Sequence, residues 1–340
     1  MDSESGGSEE SAAGDRGEAF RTVEETTLRR LVGEAEALAA VESAFRALAR
    51  GRVVQPPPLG MELESVRGEV HVKGAYLEGE ATFAMKVASG FYRNPSRGLP
   101  TGSGLVLVFD ATTGFPLALL RDNGYLTEMR TAGAGALAVR LLTPDDPLRV
   151  AVVGAGSQAR YQLRAMARVR SLEDVKVWSP EPEELPAYRE EMEPVLGVPV
   201  RAADSVKEAT EGAHLVVTVT PSREPLVEAD WLAPDATVVA VGSDGPEKRE
   251  LAPGVLRRAG KVVVDSRAQC VALGEVHHAL EAGLLTEDEI HAELGEVVLG
   301  SRPGREGSEL VVCDLTGVGA QDAAIAGEAW KKLVGRPEPS

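Results

Sequence analysis

Cysteine is scarce in this chain: there are two in 340 residues, Cys270 and Cys313, both set in apolar sequence. No Cys/His cluster has the spacing of a metal site, so the thiols read as buried groups of a reducing compartment. Positive charge is also short, with 36 Lys and Arg against 53 Asp and Glu and a formal net charge of -17. An acidic protein gains nothing from meeting nucleic acid or an anionic membrane surface, so neither is expected as a partner. Long apolar runs are missing, and none approaches the length of a membrane span. The first residues are acidic and Gly/Ser-rich where a signal peptide needs a basic start and an apolar core. The expectation is a cytoplasmic globular protein, and 340 residues with 43% apolar content can bury a core and fill two domains.

What is present is organised around Arg149 to Arg160, where the apolar strand Val150-Ala151-Val152-Val153 runs into Gly154-Ala155-Gly156-Ser157-Gln158-Ala159. This reads as the first βα turn of a dinucleotide-binding half. Gly154 turns the chain tightly, Gly156 admits a pyrophosphate, and Ala159 keeps helix and strand close, while the helix N-terminus offers free N–H groups to the anion. Gly-x-Gly-x-x-Ala alone is a weak pattern. The strand before it and the apolar-periodic helix after it (Tyr161, Leu163, Ala165, Met166, Val169) make it a strong one.

In chain order, residues 1–20 are dominated by Ser, Gly, Glu and Ala and are expected to be a disordered tail. Thr22-Val23-Glu24-Glu25 fits a capping box, and Leu28 to Leu48 recur at helical spacing, which predicts one amphipathic helix ending near Gly51. Glu69–Leu77 and Thr82–Ser89 read as strands. Leu105–Asp110 and Pro116–Arg121 flank a Thr112-Thr113-Gly114 hairpin turn. Leu126–Leu142 is helical, with Thr127 as N-cap, and its two glycines imply close approach by another backbone. Pro144–Pro147 marks a domain boundary. Beyond it strands alternate with helices, at Asp174–Trp178, Val198–Ala202, Leu215–Thr220, Thr237–Val241, Lys261–Asp265 and Leu310–Leu315, before a last helix Ala320–Val334. That alternation predicts a doubly wound parallel sheet of Rossmann type, in an α/β protein with a second, α+β part.

Three residues stand out for chemistry. Lys86 lies on the strand opposite Phe83, Met85 and Val87, between small Ala84 and Ala88, and a long Gly/Pro-rich loop from Gly90 to Thr101 follows it. From pattern alone a solvated lysine and a site lysine are equally compatible. Arg130 falls in the first turn of a helix capped at Thr127, where a cation opposes the macrodipole. A bound carboxylate would explain it, as would a salt bridge to Glu128 or another acid. Asp244 follows Val241-Gly242-Ser243 beyond the carboxyl end of a strand, where ligands bind in open α/β sheets; it reads either as a partner for a substrate nitrogen or as a helix N-cap. His71 and Lys73 alternate with Val70 and Val72, and pattern favours solvent for both. His277-His278 lies in a helical stretch, where adjacent rings are expected to diverge, so no metal site is expected. Ser179 and Glu181 end the second nucleotide strand and leave NAD(H) against NADP(H) open.

Lys86, Gly98-Leu99-Pro100-Thr101, Leu126-Thr127-Glu128-Met129-Arg130-Thr131-Ala132, Val152 to Ala159 and Val241-Gly242-Ser243-Asp244 together resemble the ornithine cyclodeaminase/mu-crystallin family, from about Thr22 to Val334. Val72-Lys73-Gly74-Ala75-Tyr76, Leu273 to His278 and Asp314-Leu315-Thr316-Gly317 are most similar to its ectoine-utilisation branch. The resemblance implies a homodimer with a substrate and dimerisation domain from residues 21–143 plus 318–336, around a dinucleotide-binding domain of residues 144–317. It also implies an NAD(H)- or NADP(H)-dependent oxidoreductase working on the C–N bond of a small α-amino or α-imino acid, as cyclodeaminase, imine reductase or amino-acid dehydrogenase. A turnover-silent ligand binder is the alternative. Lys86 and Arg130 would grip the α-carboxylate, with Asp244 at the nitrogen. Thr101, Gly154, Gly156, Ser157, Gln158, Ala159, Ser179, Thr218, Thr220, Gly242, Asp244 and Gly317 would line the cofactor. A further carboxylate-binding arginine of the cyclodeaminase aligns with Gly60, and its acidic neighbour of the amine aligns near His71; Lys73 would replace the lost cation.

Overall fold

The computed structural model describes residues 20–335, so the expected N-terminal tail, apart from Phe20, lies outside the described residues. Two sheets carry the chain. The first has seven strands and is mostly antiparallel: Arg21–Glu24, Pro116–Arg121, Gly102–Asp110, Thr82–Phe91, Gly68–Leu77 and Val53–Val54 in spatial order, with Leu59–Leu63 also paired to Gly68–Leu77. The second has eight parallel strands, ordered Val200–Ala202, Leu172–Trp178, Leu148–Val153, Leu215–Thr218, Thr237–Ala240, Val311–Asp314, Lys261–Val264 and Ala292–Glu293. Its central strands are buried along their whole length, which their near-continuous Val, Ala and Leu content requires. The expected doubly wound sheet is therefore present, with the C-terminal strand Val311–Asp314 inserted beside Thr237–Ala240.

The N-terminal expectation needs correction. Arg21–Glu24 is a strand parallel to Pro116–Arg121, burying Val23, and not a capping box. The single helix is two, Glu25–Leu31 and Glu34–Ala49. They are divided at Gly33, whose N–H donates to the Glu36 carboxylate at 3.0 Å and so starts the second helix afresh. Helical periodicity runs through the break, because both helices bury the same apolar face.

The helix Tyr125–Leu142 begins at Gly124, in the left-handed region at φ 89°, and the Asp122 carboxylate accepts the Leu126 N–H at 2.9 Å. Thr127 is therefore not the cap, and Arg130 sits one turn deeper than the sequence suggested. The two glycines meet the expected close approaches. A Cβ on Gly133 would lie 3.2 Å from the Ala37 carbonyl, and one on Gly135 would collide with Gln162 of the helix Ser157–Ala167. The small-residue helix thus packs between Glu34–Ala49 and Ser157–Ala167, locking the two sheets' layers together. The Gly90–Thr101 loop is shorter than expected, since pairing of Gly90 with Gly102 and the Phe91 N–H bond to the Thr101 carbonyl extend the hairpin.

Candidate active site

The face of the strand Thr82–Phe91 that carries Lys86 is the buried one, because the C-terminal helix Gly319–Val334 packs over it. Lys86 is 3% exposed, and its ammonium lies 2.9 Å from Asp322 Oδ1. The same oxygen accepts from Arg130 Nε at 3.0 Å, while Arg130 Nη1 donates to Gln321 Oε1 at 3.1 Å. Two cations from distant parts of the chain thus converge on one carboxylate oxygen, and Asp322 Oδ2 is buried without a hydrogen-bond partner among the described residues. Gly317, at φ 78°, is required here: a Cβ would fall 2.6 Å from Arg130 Nη1.

Lys73 pairs directly across from Lys86 in the sheet, so both point to one side. The solvent expectation for Lys73 fails, because it is buried and donates to the carbonyls of Gly317 at 2.7 Å and Thr316 at 3.3 Å. His71, two residues earlier, faces the same side, half-buried. Burial pushes the Lys86 pKa down to about 8; Asp322 resists this, and Arg130 and Lys73 add to it. Lys73 is likewise lowered, by burial first and then by Arg130.

Asp244 lies beyond the strand Thr237–Ala240, as expected, and it is neither free nor a helix cap. Lys248 Nζ donates to Asp244 Oδ1 at 2.7 Å and to Glu69 Oε1 at 2.9 Å, and it lies 3.2 Å from the Tyr92 hydroxyl, which itself donates to Glu69 at 2.7 Å. Burial would raise the Asp244 pKa, but Lys248 and Lys73 overcome it and hold the carboxylate well below its usual range. Glu69 behaves alike: burial opposes ionisation, yet His71 and Lys248 bring it down to about 2. This cluster ties the nucleotide sheet to the strand that carries Lys73.

The Gly-rich turn has the form expected of it. Gly154 is at φ 114° and a Cβ there would press on Val219 and Thr220, while Ala159 is fully buried. A Cβ on Gly156 would meet nothing within 4 Å, so open space lies where the helix Ser157–Ala167 presents its first N–H groups. The site faces the crevice between Leu148–Val153 and Leu215–Thr218, where the strand order reverses. Thr218 ends the second of those strands. Thr220 and Gly242 follow on neighbouring loops and are joined by Glu250, whose carboxylate accepts the Thr220 N–H at 2.5 Å, the Thr220 hydroxyl at 2.7 Å and the Gly242 N–H at 2.8 Å. Gly242 admits no side chain, since a Cβ would overlap the Thr220 carbonyl. Glu250 is fully buried, and burial raises its pKa to about 7 against those hydrogen bonds.

Three cofactor candidates are used differently or lie apart. Gln158 reaches back to the Glu128 carboxylate and so joins two helices. The buried Ser179 hydroxyl accepts the Glu181 N–H at 3.2 Å. Thr101 sits on the hairpin arm, with no hydrogen bond to the Gly-rich turn among the described residues.

Sequence reasoning missed Asp322, Gln321, Lys248, Glu69, Tyr92 and Glu250. Asp322 carried a readable signal, because it shares one helix face with Ile325, Ala326 and Ala329, and an acid on a buried face needs a cation. Lys248 and Glu69 are 179 residues apart, and neither stands out locally.

An uncharacterised cyclodeaminase of Sinorhizobium fredii is 42% identical over 316 residues, covering 92% of this chain and 96% of that protein. The Thermococcus litoralis Delta(1)-pyrroline-2-carboxylate reductase, solved with NADH and L-proline, is similar with a TM-score of 0.88 at 32% identity, covering 92% of this chain and 97% of that one. The iminosuccinate reductase of Paracoccus denitrificans, solved with NAD+, has a TM-score of 0.84 at 31% identity, covering 92% and 96%. The model of the Ornithine cyclodeaminase/mu-crystallin family matches residues 17–335, and the chain belongs to that family.

Proposed function

We propose that this chain is a nicotinamide-dependent oxidoreductase acting on the C–N bond of a small α-amino or α-imino acid. The observation that carries the reading is the convergence of Lys86 and Arg130, both buried, on one carboxylate oxygen. A substrate carboxylate that displaces or joins Asp322 there would gain two charge-assisted hydrogen bonds away from water. The NADH and NAD+ complexes of the two similar reductases and the open space at Gly156 support a dinucleotide on the Gly-rich turn. When bound, the nicotinamide supplies or accepts the hydride at the α-carbon.

The chain's own residues do the rest. Lys86 and Arg130 fix the carboxylate and thereby the α-carbon. Asp244, held ionised by Lys248, faces the positive nitrogen of an iminium or ammonium group and stabilises or accepts its proton. Lys73 adds a third cation on the same side. The enzyme reading is favoured over a silent binder because a pure binder has no need of a carboxylate kept ionised at the nitrogen. Residues 21–143 with 318–336 form the substrate part and 144–317 the nucleotide part.

The chain is proposed to work as a homodimer in the cytoplasm. The sheet face opposite Lys86 leaves Val72, Phe83, Met85, Val87, Leu107 and Phe109 only half-buried, an apolar surface suited to a second copy. Light scattering that gave a single-chain mass at working concentration would refute the dimer. Among the described residues no helix is long and apolar enough to cross a membrane.

The function is tested by incubating the protein with NADH or NADPH and a panel of cyclic imino acids and 2-oxo acids plus amine. Nicotinamide oxidation that depends on the imine is expected; tight cofactor binding with no turnover across the panel would return the reading to a binder.

A further inference from the structure

The helix Gly274–Glu281 places two adjacent histidines where the sequence suggested their rings would diverge. Their centroids are instead 5.2 Å apart, and both rings turn toward Glu281 in the last turn. His277 Nε2 is 3.5 Å from Glu281 Oε1 and His278 Nδ1 is 4.0 Å from Glu281 Oε2.

The opposite edges of both rings are anchored. His277 Nδ1 lies 3.0 Å from the Val271 carbonyl, and His278 Nε2 lies 2.9 Å from the Lys248 carbonyl. A carbonyl oxygen only accepts, so both of these nitrogens carry the proton. In the neutral rings, His277 Nε2 and His278 Nδ1 are then lone pairs. Both face a carboxylate that also has only lone pairs to offer, and all three ligand atoms lie within 4.8 Å of one another. Three acceptors turned toward one another repel unless a cation sits among them.

We propose that His277 Nε2, His278 Nδ1 and Glu281 form a binding site for a divalent transition metal ion of the zinc type. Two imidazoles and a carboxylate are the donor set that Zn²⁺, Co²⁺ and Ni²⁺ accept, and the backbone carbonyls behind the rings provide the outer shell that fixes ring orientation in such sites. A tetrahedral ion with bonds near 2.0 Å needs ligand atoms about 3.3 Å apart. The two rings and the exposed Glu281 side chain would draw together on the ion, leaving a fourth position open to water. The site is distinct from the carboxylate pocket, yet it stands behind the loop from Ser243 to Lys248: the Lys248 carbonyl that anchors His278 also accepts the Ser243 hydroxyl. A bound ion would therefore brace the loop carrying Asp244 from its far side.

The test uses the full chain without an affinity tag, stripped with chelator and titrated separately with Zn²⁺ by calorimetry and with Co²⁺ by visible absorption. One ion per chain is expected, with the intense d–d bands of a four-coordinate cobalt site. Glu281→Gln, a change at an exposed side chain, is expected to weaken binding at least tenfold. The double variant His277→Gln with Glu281→Gln is expected to abolish it, with circular dichroism unchanged in both. Wild-type affinity weaker than about a millimolar, or equal binding by wild type and the double variant, would overturn the site.

Discussion

At Lys86 two requirements pull against each other. In the proposed role the ammonium must stay charged to hold a substrate carboxylate, while burial brings its pKa from 10.5 down to about 8. The folded chain releases this proton first, so between those values the unfolded chain binds more protons, and this group's contribution to stability rises with pH across that window. Catalysis runs the other way, because the neutral amine cannot pair with the carboxylate. kcat/KM is therefore expected to fall as pH rises through about 8 while stability to urea does not fall with it; a flat profile to pH 10 would contradict the assignment. Asp322 is the counterpart. Asp322→Asn leaves two buried cations without their counterion, and a loss of about 3–5 kcal/mol in urea unfolding is expected. An unchanged unfolding midpoint would show that the triad is not held by charge.

Among the elements, the loops after the parallel strands are set by one side chain. Glu250 joins Thr220 to Gly242 across two loops, so it is a positioning residue for the nucleotide crevice. Glu250→Gln puts an amide N–H₂ against a backbone N–H on one side and is expected to raise the KM for the dinucleotide about tenfold, with kcat changed much less. An equal fall in kcat with KM unmoved would place Glu250 in the chemistry instead. This element also marks what the sequence could and could not disclose. The Gly154 to Ala159 turn was legible because its demands are local: a left-handed glycine, an unobstructed glycine and a small residue at fixed spacing. Lys86, Arg130 and Asp244 were visible as odd residues in their elements. Their partners were not, since Asp322 meets Arg130 from 192 residues away and Lys248 meets Glu69 only once two sheets are assembled. Thr22 and Thr127 misled for the opposite reason. Each fits a local capping pattern, and long-range contacts decided otherwise: strand pairing for the first, the Asp122 carboxylate for the second.

For the whole molecule, Lys248 is the tie between the two sheets at the mouth of the site. It neutralises Asp244 on one side and Glu69 on the other, with Tyr92 closing over them. Lys248→Met removes the nearest cation from both acids, so the pKa of Asp244 rises and the acid limb of kcat/KM is expected to move to higher pH; an acid limb that stays in place would separate Asp244 from the nitrogen chemistry. The same architecture explains why the proposed carboxylate site is built from three distant stretches: a strand of the antiparallel sheet, the small-residue helix and the C-terminal helix. Each brings one charge, and only the closed molecule brings them together.

Central to the proposed function is recognition, by Lys86 and Arg130, of a carboxylate next to the reacting carbon. It is tested most directly by comparing turnover of a five-membered cyclic imine bearing the α-carboxylate with that of the same ring lacking it, in wild type and in Lys86→Met and Arg130→Met. Wild type is expected to favour the carboxylated imine by about a hundredfold or more, and either substitution is expected to remove most of that preference while dinucleotide affinity is kept. Equal turnover of the two imines by wild type, or an undiminished preference in both variants, would contradict it.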